Sequence, residues 1–212
     1  MGTDKVDGIV AVILAAGLST RMAPQNKLLL DFGGEPLVRR LAREALASQA
    51  ARTYVVVGHD RWNVRKAIGD LPVTIVENPD YTESQMTSVR AGVLAAPEAK
   101  GYLIIPGDMP LLTAGDFDRL IARFEELGAE KAVVPFDATE RGNPIVIPGW
   151  SREEMYRRGI NFGCRNLLIN YPELVSPLST DEPQFFQDCD TEEAYRDLLA
   201  LFEARHRTAK SA

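Results

Sequence analysis

Two cations follow a run of small residues early in the chain. An apolar segment ends at Leu14, a stretch of small side chains comes next, and Arg21 and Lys27 follow it. Small side chains allow backbone N–H groups to approach an anion closely, and the two cations neutralise its charge. This order of features predicts a nucleoside triphosphate at the carboxyl end of a sheet, with a strand-to-helix turn carrying a surface arginine and lysine as the simpler alternative. The residues predicted to contact the nucleotide are Leu14, Ala15, Ala16 and Gly17.

Carboxylates stand in two further turns. Gly101–Ile105 is typical of a strand, and Asp108 lies in the turn after it. Mg²⁺ is a hard cation that accepts few carboxylates and takes phosphate oxygens as further ligands, so Asp108 is a candidate metal ligand. A turn former or helix cap is the alternative role for this aspartate. Near the carboxyl end, Asp190 and Glu193 have the spacing of a capping box at the start of a helix.

These turns are predicted to meet at one edge of a parallel sheet. Short apolar runs predict strands at 9–14, 54–57, 73–77, 101–105 and 132–135, and the first two are expected to be buried. Ser84 is predicted to cap the helix after it, and Thr113 with Asp116 predicts a capping box. Alternating strands and helices predict a single Rossmann-like α/β domain over 1–212, with a core from about 9 to 205. We expect a mostly parallel sheet with helices on both faces.

The composition excludes several functional classes. The 212 residues carry a net charge of −6, whereas a nucleic-acid-binding protein normally has a basic surface. No apolar run approaches the ~20 residues of a membrane span, and no signal peptide is apparent at 1–8, so we expect a cytoplasmic enzyme without a membrane partner. Cys164 and Cys189 lie in no metal-binding spacing and are expected to be reduced thiols. Walker A, HExxH and G-x-S-x-G motifs are absent, which removes the usual kinases, zinc proteases and α/β-hydrolases.

The loop after the first strand resembles a known signature. LAAG-x-S-x-RM, which begins at Leu14, and KLLL, which begins at Lys27, are similar to the loop of nucleotidyltransferases that act on the molybdenum cofactor. The chain most resembles the CTP:molybdenum cofactor cytidylyltransferases, because relatives that use GTP tend to carry glycine where this chain has Ala16. It departs from the family at Ala23, where glycine is usual. The resemblance implies a nucleotide-diphospho-sugar transferase-like fold, CTP and a molybdopterin-type acceptor as substrates, and Mg²⁺ or Mn²⁺ as cofactor.

This resemblance implies that two acidic motifs bind metal. GDMP, which begins at Gly107, matches the metal-binding turn of the family and makes Asp108 a ligand. DxDT near the carboxyl end matches the second metal element, where Asp190 is favoured over Asp188. The implied metal ligands are therefore Asp108 and Asp190, and the implied catalytic residues are Arg21, Lys27 and Asp108.

Less complete matches imply contacts to the base and to the acceptor. Met86 and Ser88 match a G-M-x-x-S segment near the base and ribose, with Gln85 in place of its glycine. RGNP before a predicted strand resembles an acceptor-side segment, although turn chemistry alone also explains it. A second acceptor segment lies at 161–168, where an asparagine replaces an aspartate of the family. The implied nucleotide contacts add Met86, Ser88 and Gly107, and the implied acceptor contacts are Arg141, Asn143, Asn161 and Arg165.

Together these features predict transfer of CMP from CTP to the terminal phosphate of molybdopterin, with release of pyrophosphate. A phosphate nucleophile is ionised near neutral pH, so positioning and charge neutralisation supply most of the rate. The nearest alternative keeps the chemistry but uses GTP, or a sugar or polyol phosphate. An NAD-dependent oxidoreductase is disfavoured because no G-x-G-x-x-G follows Leu14. A non-catalytic cofactor-delivery role is a further alternative, and a molybdoenzyme or its chaperone is the expected partner.

Overall fold

The computed structural model describes residues 5–22, 24–158 and 171–210, and these form a seven-stranded sheet flanked by helices. The strands are β1 Lys5–Ala15, β2 Arg52–Val57, β3 Thr74–Glu77, β4 Glu98–Pro106, β5 Ala132–Phe136, β6 Ile145–Pro148 and β7 Val175–Ser179. The helices are α1 Leu37–Ala47, α2 Arg61–Ile68, α3 Gln85–Ala95, α4 Ala114–Glu126, α5 Ser151–Arg158 and α6 Glu192–Lys210. None of the helices in these ranges has the length and apolar character needed to cross a bilayer.

The strand order is β3-β2-β1-β4-β6-β5-β7. The chain moves outward in one direction from β1 to β2 and β3, and β4 then returns to the other side of β1. This reversal is a topological switch point, where loops on opposite sides diverge and leave a crevice at the carboxyl ends of the strands. The prediction of a mostly parallel α/β sheet is confirmed. The tertiary structure adds that β6 runs antiparallel to both of its neighbours.

Both faces of β1 are covered from Ile9 onward, which explains the unbroken apolar sequence from Ile9 to Ala15. Odd-numbered side chains of β1 from Ile9 to Ala15 pack against α1, α2, α4 and α6. Even-numbered side chains from Val10 to Ala16 pack against α3 and Met155 of α5. A strand buried on both faces loses the alternation of apolar and polar residues that marks a half-exposed strand. The predicted helices on both faces are therefore confirmed.

Strand β7 was not predicted from the sequence. It pairs in parallel with β5 at the edge of the sheet and has the sequence VSPLS, which is only partly buried. An edge strand tolerates Pro177 because one row of its backbone groups needs no partner in the sheet. Its short, partly polar sequence therefore lacks the apolar run that marks the central strands.

The helix starts follow the predictions only in part. The capping box of Thr113 and Asp116 at the start of α4 is confirmed. Ser84 precedes α3 in extended conformation, but its side chain makes no capping hydrogen bond, so that prediction is wrong. At the start of α6 the Thr191 hydroxyl accepts a hydrogen bond from the Ala194 N–H at 3.1 Å. Thr191 thus caps this helix, and the Asp190 carboxylate points elsewhere.

Candidate active site

The site lies where β1 and β4 end side by side. Leu14 and Pro106 are paired at the last register position of the two strands, and the Gly107 N–H donates to the Leu14 carbonyl at 3.0 Å. A Cβ atom at position 107 would stand 2.5 Å from that carbonyl oxygen, so only glycine fits here. This close approach places Asp108 directly beside the loop that follows β1.

Lys27 lies between two carboxylates from distant parts of the chain. Its ammonium donates to Asp108 Oδ2 at 2.6 Å and to Asp190 Oδ1 at 2.5 Å. The Arg21 guanidinium forms an ion pair with the other oxygen of Asp190. The structure therefore brings together the four side chains that the sequence singled out for phosphate and metal chemistry.

The backbone of Lys27 is anchored, whereas its side chain is long and flexible. Lys27 opens a short 3₁₀ turn, Lys27–Leu29, whose first free N–H group is capped by the side-chain oxygen of Asn26 at 3.0 Å from Leu28 N. The Leu28 side chain is buried in the core. The Asn26 amide also donates to Asp60 at 3.3 Å, which ties the loop to the start of α2. The position of the Lys27 backbone is thus set by packing and capping.

The charges of the site shift the pKa values of its members. Burial of the Lys27 ammonium acts to lower its pKa, but Asp108 and Asp190 outweigh burial and raise it above the ordinary value. Lys27 is therefore fully protonated at neutral pH. Partial burial, together with the Asp108 and Asp190 carboxylates, raises the pKa of Asp188. Asp188 is thus close to both carboxylates, but it is Asp190 that pairs with the two cations.

Cys189 joins the acidic turn to the end of β4. Its backbone N–H donates to the Asp108 carbonyl at 2.7 Å, and its side chain is buried in the core. Burial raises the pKa of the Cys189 thiol to about 11, so the group stays protonated at neutral pH. Its role in the described structure is to fix the turn that carries Asp190, in agreement with the predicted reduced thiol.

A cavity of about 200 Å³ opens beside Asp108 at the switch point. Ser88 at its wall is buried and accepts a hydrogen bond from the Asn78 side chain at 3.0 Å. The Tyr81 and Gln85 side chains also line it, and the sequence had not singled out Tyr81. The lining residues are Leu14, Ala16, Gly17, Lys27, Leu28, Tyr81, Gln85, Ser88, Pro106, Gly107 and Asp108.

Two predicted nucleotide contacts, Ala15 and Met86, are not among the residues that line this cavity. Ala15 is the last residue of β1, and its methyl group belongs to the core on the opposite face of the sheet. Met86 is half-buried and packs against the core beneath α3. The alternation of side chains along β1 sends Leu14 and Ala16 towards the cavity and Ala15 away from it. A nucleotide would therefore reach Ala15 through its backbone.

A second cavity, of about 180 Å³, lies on the other side of Lys27. Ser19 has a φ of +52°, a left-handed conformation that a serine seldom adopts. This turn brings the hydroxyls and backbone of the loop around the cations. The lining residues are Leu18, Ser19, Thr20, Arg21, Lys27 and Asp190. Lys27 and the carboxylates thus stand between two adjoining cavities.

Two of the four predicted acceptor residues, Arg141 and Asn143, are not among the residues that line these cavities. Arg141 is exposed and forms an isolated bridge with Phe136. Asn143 is half-buried, and its N–H donates to the Phe185 carbonyl at 2.8 Å. Asn161 and Arg165 fall outside the described residues. The acceptor assignments therefore remain predictions.

The two central carboxylates fit a hard divalent cation. Asp108 and Asp190 each direct one carboxylate oxygen at the same ammonium, so a positive charge already lies at the point between the two carboxylates. Within 5–22, 24–158 and 171–210, no three His, Cys, Asp or Glu side chains form a ready metal cluster. Mg²⁺ commonly takes one or two carboxylates and completes its shell with water and substrate phosphates. The donor set fits a cation that binds together with a phosphate-bearing substrate.

The sequence matches a known family across most of the sheet. Residues 11–174, which include the second half of β1 with the loop after it and the Asp108 turn, match the MobA-like NTP transferase domain. The chain belongs to this family. It therefore carries a nucleotidyltransferase domain, as the loop and GDMP motifs predict.

Among curated proteins, the MobA-like chain is similar to the bifunctional protein GlmU of Leifsonia xyli subsp. xyli. The two are 33% identical over 148 residues, which cover 68% of this chain and 29% of that protein. The chain thus spans under a third of the length of the curated relative.

Solved structures share the MobA-like fold at lower identity. A nucleotidyl transferase from Methanothermobacter superposes with a TM-score of 0.80 at 19% identity, covering 94% of this chain and 100% of that one. Rv0371c from Mycobacterium tuberculosis, in complex with manganese, has a TM-score of 0.72 at 24% identity, covering 91% and 98%. CMP:2-keto-3-deoxy-manno-octonic acid synthetase, in complex with CTP, has a TM-score of 0.72 at 15% identity, covering 94% and 100%. These likenesses establish the fold.

Proposed function

We propose that the protein transfers CMP from CTP to the terminal phosphate of a molybdopterin-type acceptor and releases pyrophosphate. The observation that carries this proposal is the convergence of Arg21, Lys27, Asp108 and Asp190 at the carboxyl edge of β1 and β4. Phosphoryl transfer needs charge neutralisation and alignment more than covalent help from the protein, and these four side chains supply charges of both signs at one point.

The two cavities suggest how the triphosphate lies in the site. The base and ribose would occupy the cavity between Leu14, Ala16 and Ser88, beside the backbone of Gly17 and Gly107. The phosphates would extend past Lys27 into the second cavity, where Arg21 and the loop hydroxyls lie. This placement sets the α-phosphate beside Asp108, between the two cavities.

The proposed chemistry is an in-line displacement. An oxygen of the acceptor phosphate attacks the α-phosphorus of CTP, and the bond from that phosphorus to the bridging oxygen breaks. The electron pair leaves with pyrophosphate, whose added charge Arg21 and Lys27 neutralise. Asp108 and Asp190 would hold Mg²⁺ or Mn²⁺, which supplies charge neutralisation at the phosphate oxygens. The attacking phosphate is already ionised, so no side chain has to remove a proton.

The preference for CTP is supported by Ala16. Ala16 lines the first cavity, where a glycine at this position would leave more room. A pyrimidine needs less room than a purine, and the resemblance places glycine at this position in enzymes that use GTP. The structural neighbour in complex with CTP is consistent with this preference.

The test is a measurement of pyrophosphate release with Mg²⁺ and each of the four nucleoside triphosphates, with and without molybdopterin-type acceptor. We expect release only when CTP and the acceptor are both present. Release with GTP instead of CTP would show that the proposed nucleotide substrate is wrong, whereas the proposed mechanism would still hold. Binding of the pterin without any nucleotide turnover would favour a cofactor-delivery role.

A sugar or polyol phosphate is the second candidate acceptor. The family match does not specify the acceptor, and a neighbour of the same fold is named for a sugar acid. The same assay with a panel of sugar and polyol phosphates separates the two candidates. If molybdopterin is the acceptor, the product would be handed to a molybdoenzyme or its chaperone, which we propose as the protein partner.

A further inference from the structure

The most tightly held cation of the site stands between the two carboxylates assigned to a metal. The Lys27 side chain is only 13% exposed, and its ammonium lies within hydrogen-bond distance of both Asp108 and Asp190. Arg21 pairs with the remaining oxygen of Asp190, and its side chain is 70% exposed. The carboxylates are thus neutralised by the protein itself when no substrate is bound.

We propose that Lys27 occupies the metal position in the nucleotide-free protein and exchanges the carboxylates for phosphate when metal and nucleotide bind together. This inference rests on the proposed function and states which group occupies its metal site before the substrate binds. In the free protein Lys27 holds Asp108 and Asp190 in place as an internal counter-ion. In the loaded protein the same ammonium contacts the triphosphate, as the sequence motif predicts.

Charge balance makes the exchange obligatory. A divalent cation between Asp108 and Asp190 cannot share that space with the Lys27 ammonium, because two positive centres would lie within a few ångströms in a partly buried site. Lys27 leaves without penalty only if it finds other anionic oxygens, and the triphosphate supplies them in the adjoining cavity. When metal or nucleotide binds alone, the ion pairs of Lys27 with Asp108 and Asp190 have to break, and the new contacts replace only part of the lost interaction.

The anchoring of the loop confines the movement to one side chain. Leu28 is buried and Asn26 caps the turn, so the backbone at Lys27 keeps its position. A lysine carries a compact charge on a flexible four-carbon stem and can turn between neighbouring acceptors. Lys27 lines both cavities, so its side chain can turn the ammonium from the carboxylates to a phosphate while the backbone stays in place.

The first experiment measures Mn²⁺ affinity without nucleotide, by calorimetry and by the spin-resonance signal of free Mn²⁺. Lys27→Met keeps most of the length of the side chain and removes its charge. We expect this variant to bind Mn²⁺ at least about tenfold more tightly than wild type, within the usual range for coupling between two ligands. Arg21→Met should give a smaller gain, because Arg21 is exposed and pairs with only one carboxylate. Lys100→Met is the matched control, since Lys100 pairs with Asp7 at 2.9 Å at the opposite edge of the sheet.

The second experiment measures CTP binding in EDTA, where no metal takes part. Asp190→Asn removes one of the carboxylates that hold Lys27, so more of the ammonium is available to phosphate. We expect this variant to bind metal-free CTP several-fold more tightly than wild type, although the same change weakens Mn²⁺ binding. Asp7→Asn is the control for loss of one carboxylate in an ion pair. This arm tests the exchange even if Lys27→Met fails to fold.

The outcomes separate the exchange from the proposed function. Equal Mn²⁺ affinity in wild type and Lys27→Met would overturn the exchange and leave the metal site intact. No Mn²⁺ binding by either protein without nucleotide would also overturn the exchange. Mn²⁺ binding in the presence of CTP would then retain the metal site of the proposed function, and its absence there as well would remove that site. Unchanged or weaker metal-free CTP binding by Asp190→Asn would contradict the exchange independently.

Discussion

Asp108 is the residue on which the candidate site depends most. It follows β4 directly, contacts Lys27 and lines the cavity at the switch point. Its position results from Gly107, where a side chain would collide with the Leu14 carbonyl. A loop residue held this firmly at the edge of a parallel sheet has the preorganisation that phosphoryl transfer requires.

Asp108→Ala is expected to lower kcat by orders of magnitude, because the proposed metal site loses a ligand and Lys27 loses a partner. The measurement is pyrophosphate release at saturating substrates, with circular dichroism to establish folding. Asp7→Ala removes a carboxylate at the far edge of the sheet and should leave the rate unchanged. Near-normal turnover in folded Asp108→Ala would refute the role.

The two aspartates of the DxDT turn are expected to differ. Asp190 pairs with Lys27 and Arg21, whereas Asp188 only lies near them. We expect Asp190→Asn to reduce turnover at least about tenfold more than Asp188→Asn, equivalent to about 1.4 kcal/mol in the barrier. Steady-state kinetics of the two variants with matched Mg²⁺ titrations would decide. The reverse order would make Asp188 the ligand.

The Cys189 thiol is expected to resist alkylation in the folded protein. Its pKa is raised by burial to about 11, so the reactive thiolate is scarce at pH 8 and grows only as the pH approaches that value. The measurement is the rate at which iodoacetamide adds to the peptide that contains Cys189, followed by mass spectrometry. Labelling as fast as that of a free thiol at pH 8 would show that the turn opens readily.

At the scale of elements, α3 lies unusually close to the sheet. A Cβ atom on Gly92 would stand 2.3 Å from a methyl carbon of Val12 and 2.8 Å from one of Val56. The glycine therefore lets the helix pack directly on β1 and β2, which keeps its first turn, with Gln85 and Ser88, at the cavity. The helix pattern predicts α3, but the closeness of its packing depends on residues far along the chain.

Gly92→Ala is expected to lower the free energy of unfolding by about 1–3 kcal/mol, because the added methyl group overpacks the core. Urea denaturation measures the change. Gly115→Ala in α4 is the matched control, since its nearest neighbour would be the Thr113 hydroxyl at 3.8 Å. That variant should be unchanged or more stable by up to about 1 kcal/mol. Equal effects at both positions would contradict the packing argument.

At the scale of the whole molecule, α6 packs the carboxyl-terminal part of the chain against the core. Phe202 packs against Phe32 in an edge-to-face pair with a centroid distance of 6.1 Å, and the Arg40 guanidinium lies 4.9 Å from its ring centroid. The turn with Asp190 lies immediately before this helix. Packing of α6 on α1 therefore helps to bring a carboxylate from near residue 190 to a loop near residue 27.

Phe202→Ala is expected to cost about 3–5 kcal/mol of unfolding free energy, as for other buried aromatic truncations. Phe202 is only 7% exposed, whereas its neighbour Leu201 is 43% exposed. Leu201→Ala therefore serves as the control and should change stability by no more than about 0.5 kcal/mol. Chemical denaturation of both variants tests this, and a small effect of Phe202→Ala would show that α6 contributes little to the core.

The amino-acid sequence alone was sufficient for the features that depend on short stretches. Apolar runs of β-branched residues predict the buried strands, and the spacing of Thr113 and Asp116 predicts a capping box that the structure confirms. The loop with Arg21 and Lys27 and the GDMP turn identify the family, which the match over 11–174 confirms. These features are local, since propensity, capping and motif chemistry act within a few residues.

Only the tertiary structure decided how these pieces meet. The order of the strands places β4 beside β1 and so sets Asp108 next to Lys27. Packing of α6 then brings Asp190 to the same ammonium, and the switch point adds Tyr81 to a cavity wall that no motif had indicated. Edge strand β7 and the direction of β6 likewise depend on their neighbours. Contacts between residues more than 80 or 160 positions apart arise from burial of the whole core, which no local pattern encodes.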